Sequence, residues 1–381
     1  MGDMTNTGAF QRFFDAAGTI VNLEAKKWLE KGGRVIGYFC SAMPEEIVTA
    51  AGLLPFRLRG TGSTETDLAD AYFSSLNCSF PRHCFNLALS GEYDFLSGLV
   101  MFNSCDALRR TYDHWIRRIN TPFVRLLHLP KKAEAPQVDF FRQELADLIR
   151  EMEEHFSVKI TDDRLWEAIR LHNETRRLLR RLYELRKADN PPITGAETLA
   201  VTVAGTAIPK IRFNELLIKL LDEIGNGDVV ENYRARLMIM GSELDDPRYL
   251  EIIENQGGLV VTDSLCFGSR MLWTDVNEDA GDPLTALARY YVAERPSCPR
   301  LCTEYENRSQ YVMDMIRDFN VDGVILERIT FCDTWGFEGY LFHDDLKSLN
   351  IPLLMVEREY NQTGIGQLQT RVQAFLETMG R

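Results

Sequence analysis

Eight cysteines, Cys40, Cys78, Cys84, Cys105, Cys266, Cys298, Cys302 and Cys332, are the residues of this 381-residue chain best suited to chemistry beyond packing. A thiolate binds soft metals and carries redox chemistry, whereas a free thiol without such a task packs as a small apolar group. No Cys-x-x-Cys occurs, which counts against zinc ribbons and bacterial-type ferredoxin runs. Placement is more informative. Cys40 directly ends an apolar run at 34–39, Cys105 lies three residues beyond one ending at Phe102, and Cys266 lies five beyond Val261. Cys332 follows a run over 321–326, and Cys78 sits in a polar stretch, 77–82, expected to be a loop. Ligands of an open parallel sheet bind just past the carboxyl ends of its strands, so these thiols stand where a cofactor would be met. Cys40, Cys84, Cys298 and Cys302 are read first as buried packing residues, and Cys266 fits either role. The pair Cys298 and Cys302 cannot hold a metal alone.

The elements that must position them follow from the apolar pattern. Short apolar runs at 34–39, 54–58, 99–102 and 123–127 read as buried strands with helical spacing between them. Ser41, Pro44, Glu45 and Glu46 mark a helix start. This alternation predicts βαβ units and a mainly parallel sheet within an N-terminal α/β lobe, 1–132. Over 133–228 apolar residues such as Phe141, Leu145, Leu165, Ile169 and Leu178 recur at helical spacing, which predicts a helical domain. Alternation returns in a C-terminal α/β lobe, 229–381, with strands expected at 235–240, 258–262, 321–326 and 352–356. The expected fold class is therefore α/β: two Rossmann-like parallel-sheet lobes with a helical insert. The length agrees, because 381 residues exceed what one core usually spans.

Composition narrows the function classes. Lys and Arg total 43 against 56 Asp and Glu, a formal net charge of −13, which repels a phosphate backbone and argues against nucleic acid as a partner. No run approaches the ~20 apolar residues of a membrane-spanning helix. The opening Met1-Gly2-Asp3-Met4 lacks the features of a secretory leader, so the expected compartment is the reducing cytoplasm, where thiols stay free. The basic run Arg176, Arg177, Arg180, Arg181 is read as a solvated helix face, with contact to acyl-carrier phosphates or an acidic partner as the alternative. Arg82, Arg109 and Arg110 fit ligand phosphates or acidic neighbours. Asp106 and Asp333 each follow a cysteine and fit helix starts. The turn Gly364-Ile365-Gly366 before a helix suits an anion or a plain turn. Serine-hydrolase elbows, His-Glu-x-x-His and a full Gly-x-Gly-x-x-Gly are absent.

Several phrases in order carry a resemblance. Gly37-Tyr38-Phe39-Cys40 with Pro44-Glu45-Glu46-Ile47, Ala50-Ala51-Gly52-Leu53-Leu54-Pro55, and Asn77-Cys78-Ser79-Phe80-Pro81-Arg82 are three of them. Asn103-Ser104-Cys105-Asp106, Phe331-Cys332-Asp333, and Gly366-Gln367 with Thr370-Arg371 complete the set. Together they resemble the 2-hydroxyacyl-CoA dehydratase/benzoyl-CoA reductase family across nearly the whole chain. The resemblance implies a [4Fe-4S] cluster held by Cys78, Cys105 and Cys332, with one iron left open. It implies single-electron chemistry on an acyl-CoA thioester through a ketyl radical. It also implies a related second iron–sulfur subunit and a separate ATP-hydrolysing iron–sulfur activator, in keeping with the lack of a Gly-x-x-x-x-Gly-Lys-[Ser/Thr] loop here.

Within the family, the segments around Cys78 and Cys105 resemble the small subunits of benzoyl-CoA reductases more than dehydratase subunits. The expected function is thus the iron–sulfur subunit of an ATP-dependent reductase acting on an aromatic acyl-CoA. The alternatives are a dehydratase subunit, a double-cubane reductase using Cys266 and Cys298 as further ligands, and an electron-relay subunit that never meets substrate. A zinc-stabilised binding protein is a further rival from another class. His83, five residues past Cys78, is the candidate proton donor.

Overall fold

The computed structural model describes residues 7–224, 229–361 and 364–380. The opening Met1–Met4 and residue 228, where the helical domain was expected to end, lie outside the described residues. Among the described residues, eight strands form two separate four-stranded sheets. The first holds β1 (Val35–Tyr38), β2 (Leu54–Arg57), β3 (Gly98–Phe102) and β4 (Val124–Leu127) in the order β2-β1-β3-β4. The second holds β5 (Ala235–Gly241), β6 (Gly258–Ser264), β7 (Gly323–Ile329) and β8 (Leu353–Arg358) in the order β6-β5-β7-β8. Every pairing is parallel. The expected α/β class with two Rossmann-like lobes holds, and all eight strands fall where apolar runs predicted them.

The physical reason is burial on both faces. Every residue of β1, β2, β3, β5 and β6 is buried, because crossover helices cover both sides of a parallel sheet and demand continuous apolar runs. In each sheet the chain reverses winding between its first and third strands, β1/β3 and β5/β7. Such a switch point opens a crevice beyond the strands' carboxyl ends.

Between the sheets lie four helices, Ala135–Phe156, Asp162–Glu184, Gly195–Ala204 and Lys210–Ile224. Gly195–Ala204 is buried along its whole length, with a capping box between Thr194 and Glu197 at its start. The first described helix, Thr7–Ala17, joins the C-terminal sheet rather than the nearby N-terminal one. Phe10, Phe13 and Ala16 share a core with Met238, Met240, Val324 and Leu326. None of the described helices is long and apolar enough to cross a membrane.

The basic run is only partly a solvated face: Arg177 and Arg181 are exposed, whereas Arg176 is buried and Arg180 half-buried. Arg176 is buried and its Nη2 lies 2.5 Å from Glu46 Oε1. Arg177 reaches Asp275 at 3.2 Å and Glu278 at 2.7 Å, and Arg180 reaches Asp275 at 2.8 Å. These arginines tie the long helix to both α/β lobes. One-dimensional patterning could not see this, because the acidic partners lie about a hundred residues away.

One glycine is required by a close approach near the site. Gly241 ends β5 at φ +146°, and a Cβ there would stand 1.9 Å from the carbonyl oxygen of Glu327 on β7. Gly241→Ala is expected to cost roughly 1–3 kcal/mol from backbone strain alone, with more from the clash. A urea midpoint equal to wild type would refute this.

Candidate functional site

Cys78, Cys105 and Cys332 each occupy the N-cap of a helix: Ser79–Leu89, Asp106–Arg118 and Asp333–Ser348 respectively. Of the segment 77–82, expected to be a loop, only Asn77 and Cys78 lie outside the helix. Pro81 sits in a first turn, where its missing N–H has no helical partner to lose. Cys105 follows β3 and Cys332 follows β7, so both stand at switch points, one in each lobe. Just before Cys332, Phe331 holds φ +64°, a left-handed backbone that strains a bulky side chain.

The three cysteines line one cavity of about 90 Å³ between the two sheets, with Cys40, Cys266 and Cys298 also in its wall. Six of the eight cysteines therefore face a single space large enough for several water molecules. Cys84 lies in a hydrophobic core and Cys302 is exposed. Cys266 is already engaged: its thiol donates to Glu243 Oε2 at 2.7 Å and accepts from Arg57 Nη2 at 3.1 Å.

The electrostatics suit an anionic occupant. Burial pushes the Cys78 thiol well up, and the nearby sulfur of Cys332 adds to this. Burial likewise raises Cys105 to about 12 and raises Cys332. Against burial act the helix starts. None of the three sulfurs makes a full capping hydrogen bond, yet the amides of Phe80, Leu108 and Trp335 favour the thiolates, as does the Thr334 hydroxyl 3.5 Å from Cys332 Sγ. Three helix N-termini add their positive dipole ends at the same place. The thiols are neutral at pH 7, so a metal entering here must displace their protons.

Among the described residues, no three His, Cys, Asp or Glu side chains are gathered closely enough to grip a single metal ion. A cubane carries its own iron–sulfide core, and its thiolates stand farther apart than the ligands of one ion. The donor set, all soft sulfur on buried helix starts, fits such a group.

The remaining candidates fall elsewhere. His83 is buried outside the cavity wall, with Nδ1 2.8 Å from Ser63 Oγ and its ring 5.5 Å from that of Tyr360. Burial, then the charge of Arg82, lowers its pKa to about 4, so its ring is neutral at pH 7. Arg82 pairs with Asp70 at 2.5 Å. Arg109 is exposed, and Arg110 lies 3.7 Å from both Asp106 and Asp113. Gly364 caps the helix Ile365–Thr378 beside a different cavity, of about 260 Å³. Sequence reasoning undervalued Cys40 and Cys298 and missed Arg270 and Arg300, which also line the cysteine cavity. The strand-end position of Cys40 and the double-cubane alternative for Cys298 were the signals that pointed to them.

Comparison with known proteins adds an independent line. The family model for 2-hydroxyglutaryl-CoA dehydratase, D-component, matches residues 40–379. A benzoyl-CoA reductase subunit of Thauera aromatica is 29% identical over 91% of this chain and 90% of its own length. The (R)-phenyllactyl-CoA dehydratase beta subunit of Clostridium sporogenes is 28% identical over 97% and 99%. The beta subunit of (R)-2-hydroxyglutaryl-CoA dehydratase from Acidaminococcus fermentans is 23% identical over 93% and 94%.

Proposed function

Since this chain belongs to the 2-hydroxyglutaryl-CoA dehydratase D-component family, whose curated relatives are subunits of acyl-CoA reductases and dehydratases, we propose that it is the iron–sulfur subunit of an ATP-dependent enzyme of benzoyl-CoA reductase type. Its task is to pass low-potential single electrons toward an aromatic acyl-CoA. A related second subunit completes the enzyme, and a separate ATP-hydrolysing activator supplies the electrons. The observation that carries this reading is the meeting of Cys78, Cys105 and Cys332, from three helix starts and two lobes, on one cavity. Two relatives whose names specify a benzoyl and a phenyllactyl thioester support an aromatic acyl group.

A [4Fe-4S] cluster bound by the three cysteines would supply single-electron reduction at low potential, with its fourth iron free of protein thiolate. The chain's own residues do the rest. Leu108, Phe80 and Ile329, all buried, give the cavity an apolar side, which strengthens charge interactions against it. Glu243, held by Arg57 and by the Cys266 thiol, fixes one side of the wall. The Thr334 hydroxyl and the amide of Trp335 orient toward Cys332 and favour its ligating thiolate form.

A second reading, a dehydratase subunit, is favoured by the phenyllactyl-CoA relative, which spans nearly the whole of both chains. The assembled complex separates the two. Under reductant and ATP, benzoyl-CoA should yield a dearomatised product, while phenyllactyl-CoA should be recovered with its hydroxyl intact. Loss of the hydroxyl without net electron consumption would give the assignment to the dehydratase reading.

A further inference from the structure

Two buried cations in the cysteine cavity have no carboxylate counter-charge among the described residues. Arg270 is 5% and Arg300 3% exposed, and both line the cavity, yet neither forms an ion pair there. Arg270 Nε and Nη1 and Arg300 Nε have no hydrogen-bond partner among the described residues, and neither does the nearby Ser104 hydroxyl. What holds the two guanidiniums carries no net charge: Arg270 lies 5.5 Å over the ring of Trp335, and Arg300 Nη1 donates to the carbonyl of Pro130 at 2.8 Å.

Four other buried arginines are matched with carboxylates, while Arg236 and Arg295 are held by backbone carbonyls and, for Arg295, the ring of Tyr291. Arg57 meets Glu243, Arg176 meets Glu46, Arg308 meets Glu338, and Arg358 meets Glu327. A guanidinium does not give up its proton, and removing one from water without a counter-charge costs several kcal/mol. The carboxylates in the cavity wall do not serve. Glu243 is already bonded to Arg57 and Cys266, and Asp333 is exposed at the start of its helix. The groups that do share the cavity wall with the two arginines are sulfurs, Cys40, Cys266 and Cys298 among them.

We propose that Arg270 and Arg300 are charge-compensating residues for an anionic iron–sulfur group in this cavity, favouring its reduced form and so raising its reduction potential. The inference rests on the function proposed above and deepens it. Thiolates and sulfides give a cubane site net negative charge, and each added electron increases it. A fixed buried cation therefore stabilises the reduced form more than the oxidised one.

The test is an EPR-monitored redox titration of the full chain, reconstituted anaerobically, with iron and sulfide counted in every sample. Arg270→Met and Arg300→Met keep length and remove charge. Each is expected to retain wild-type iron and to shift the reduction equilibrium at least tenfold toward the oxidised form, about 59 mV more negative for a one-electron couple. Arg270→Lys and Arg300→Lys should retain most of the wild-type potential. Loss of iron in the Met variants with retention in the Lys variants would also support the role, since charge is what the two sets differ in. Wild-type potential in iron-replete Met variants would overturn the inference and leave the function standing. Loss of iron or of fold in both sets would assign the arginines to packing and overturn it equally. A wild-type chain that takes up no iron would defeat the proposed function itself.

Discussion

Cys105→Ala is expected to abolish iron binding while leaving a folded chain. Cys105 ends the first lobe's central crevice and caps the helix Asp106–Arg118 without a full capping bond. Removing its sulfur should therefore cost the fold little, whereas a cubane held by three thiolates loses a third of its protein ligands. Anaerobic reconstitution of wild type should give about four irons and four sulfides per chain. Cys105→Ala should give fewer than about one, with an unchanged far-UV spectrum. The control is Cys84→Ala, in the helix that Cys78 caps but buried in apolar packing. It should keep its iron and lose only about 1 kcal/mol of stability from the vacated volume. Equal iron in Cys105→Ala and wild type would dispose of the three-thiol site. About eight irons in wild type would instead point to a second cubane, to which Cys40, Cys266 and Cys298 could contribute.

The second large effect is on stability. Glu46 is fully buried; burial pushes its pKa up, but the charges of Arg176 and then His172 outweigh this and hold it near 2. Tyr291 also donates to its Oε2 at 2.9 Å. Glu46→Gln keeps the shape but leaves Arg176 buried without its counter-charge, so a loss of roughly 3–5 kcal/mol is expected in urea denaturation. A loss under about 1 kcal/mol would show that the pair does not lock the helical segment to the N-terminal lobe. The pH dependence follows from the same cluster. Because the folded pKa of Glu46 is depressed, its contribution is complete above its ordinary 4.5 and is lost as pH falls toward 2. His172, buried and lowered to about 4 from 6.5, is held neutral in the folded state. The unfolded chain takes up that proton first, so stability should decline from pH 6.5 down to 4. His172→Gln should flatten that upper part of the decline; parallel profiles would rule out this origin.

The fold was legible in large part because buried parallel strands leave a strong local trace. Runs such as 99–102 and 235–240 are almost wholly apolar, and no amphipathic surface element imitates them. The helix starting at Ser79 was hidden for the opposite reason. Its first turn is polar and contains Pro81, features shared by loops and helix starts alike. The burial of Arg176 within the basic run was hidden because helical periodicity reports which residues share a face, not what covers that face. Thr7–Ala17 could be recognised as amphipathic, but nothing local revealed that Phe10 and Phe13 would pack against a sheet more than two hundred residues away.

The order of strands and helices, and the motifs that nominate Cys78, Cys105 and Cys332, are properties of the chain read in one dimension. They depend on local apolar runs and on neighbours within a few residues. Only the packing of two lobes decided that six cysteines share one wall, that His83 stands outside it, and that Arg270 and Arg300 enter it without carboxylates. Those relations arise when two switch-point crevices are brought face to face, and electrostatic pairing depends on distance in space rather than separation along the chain.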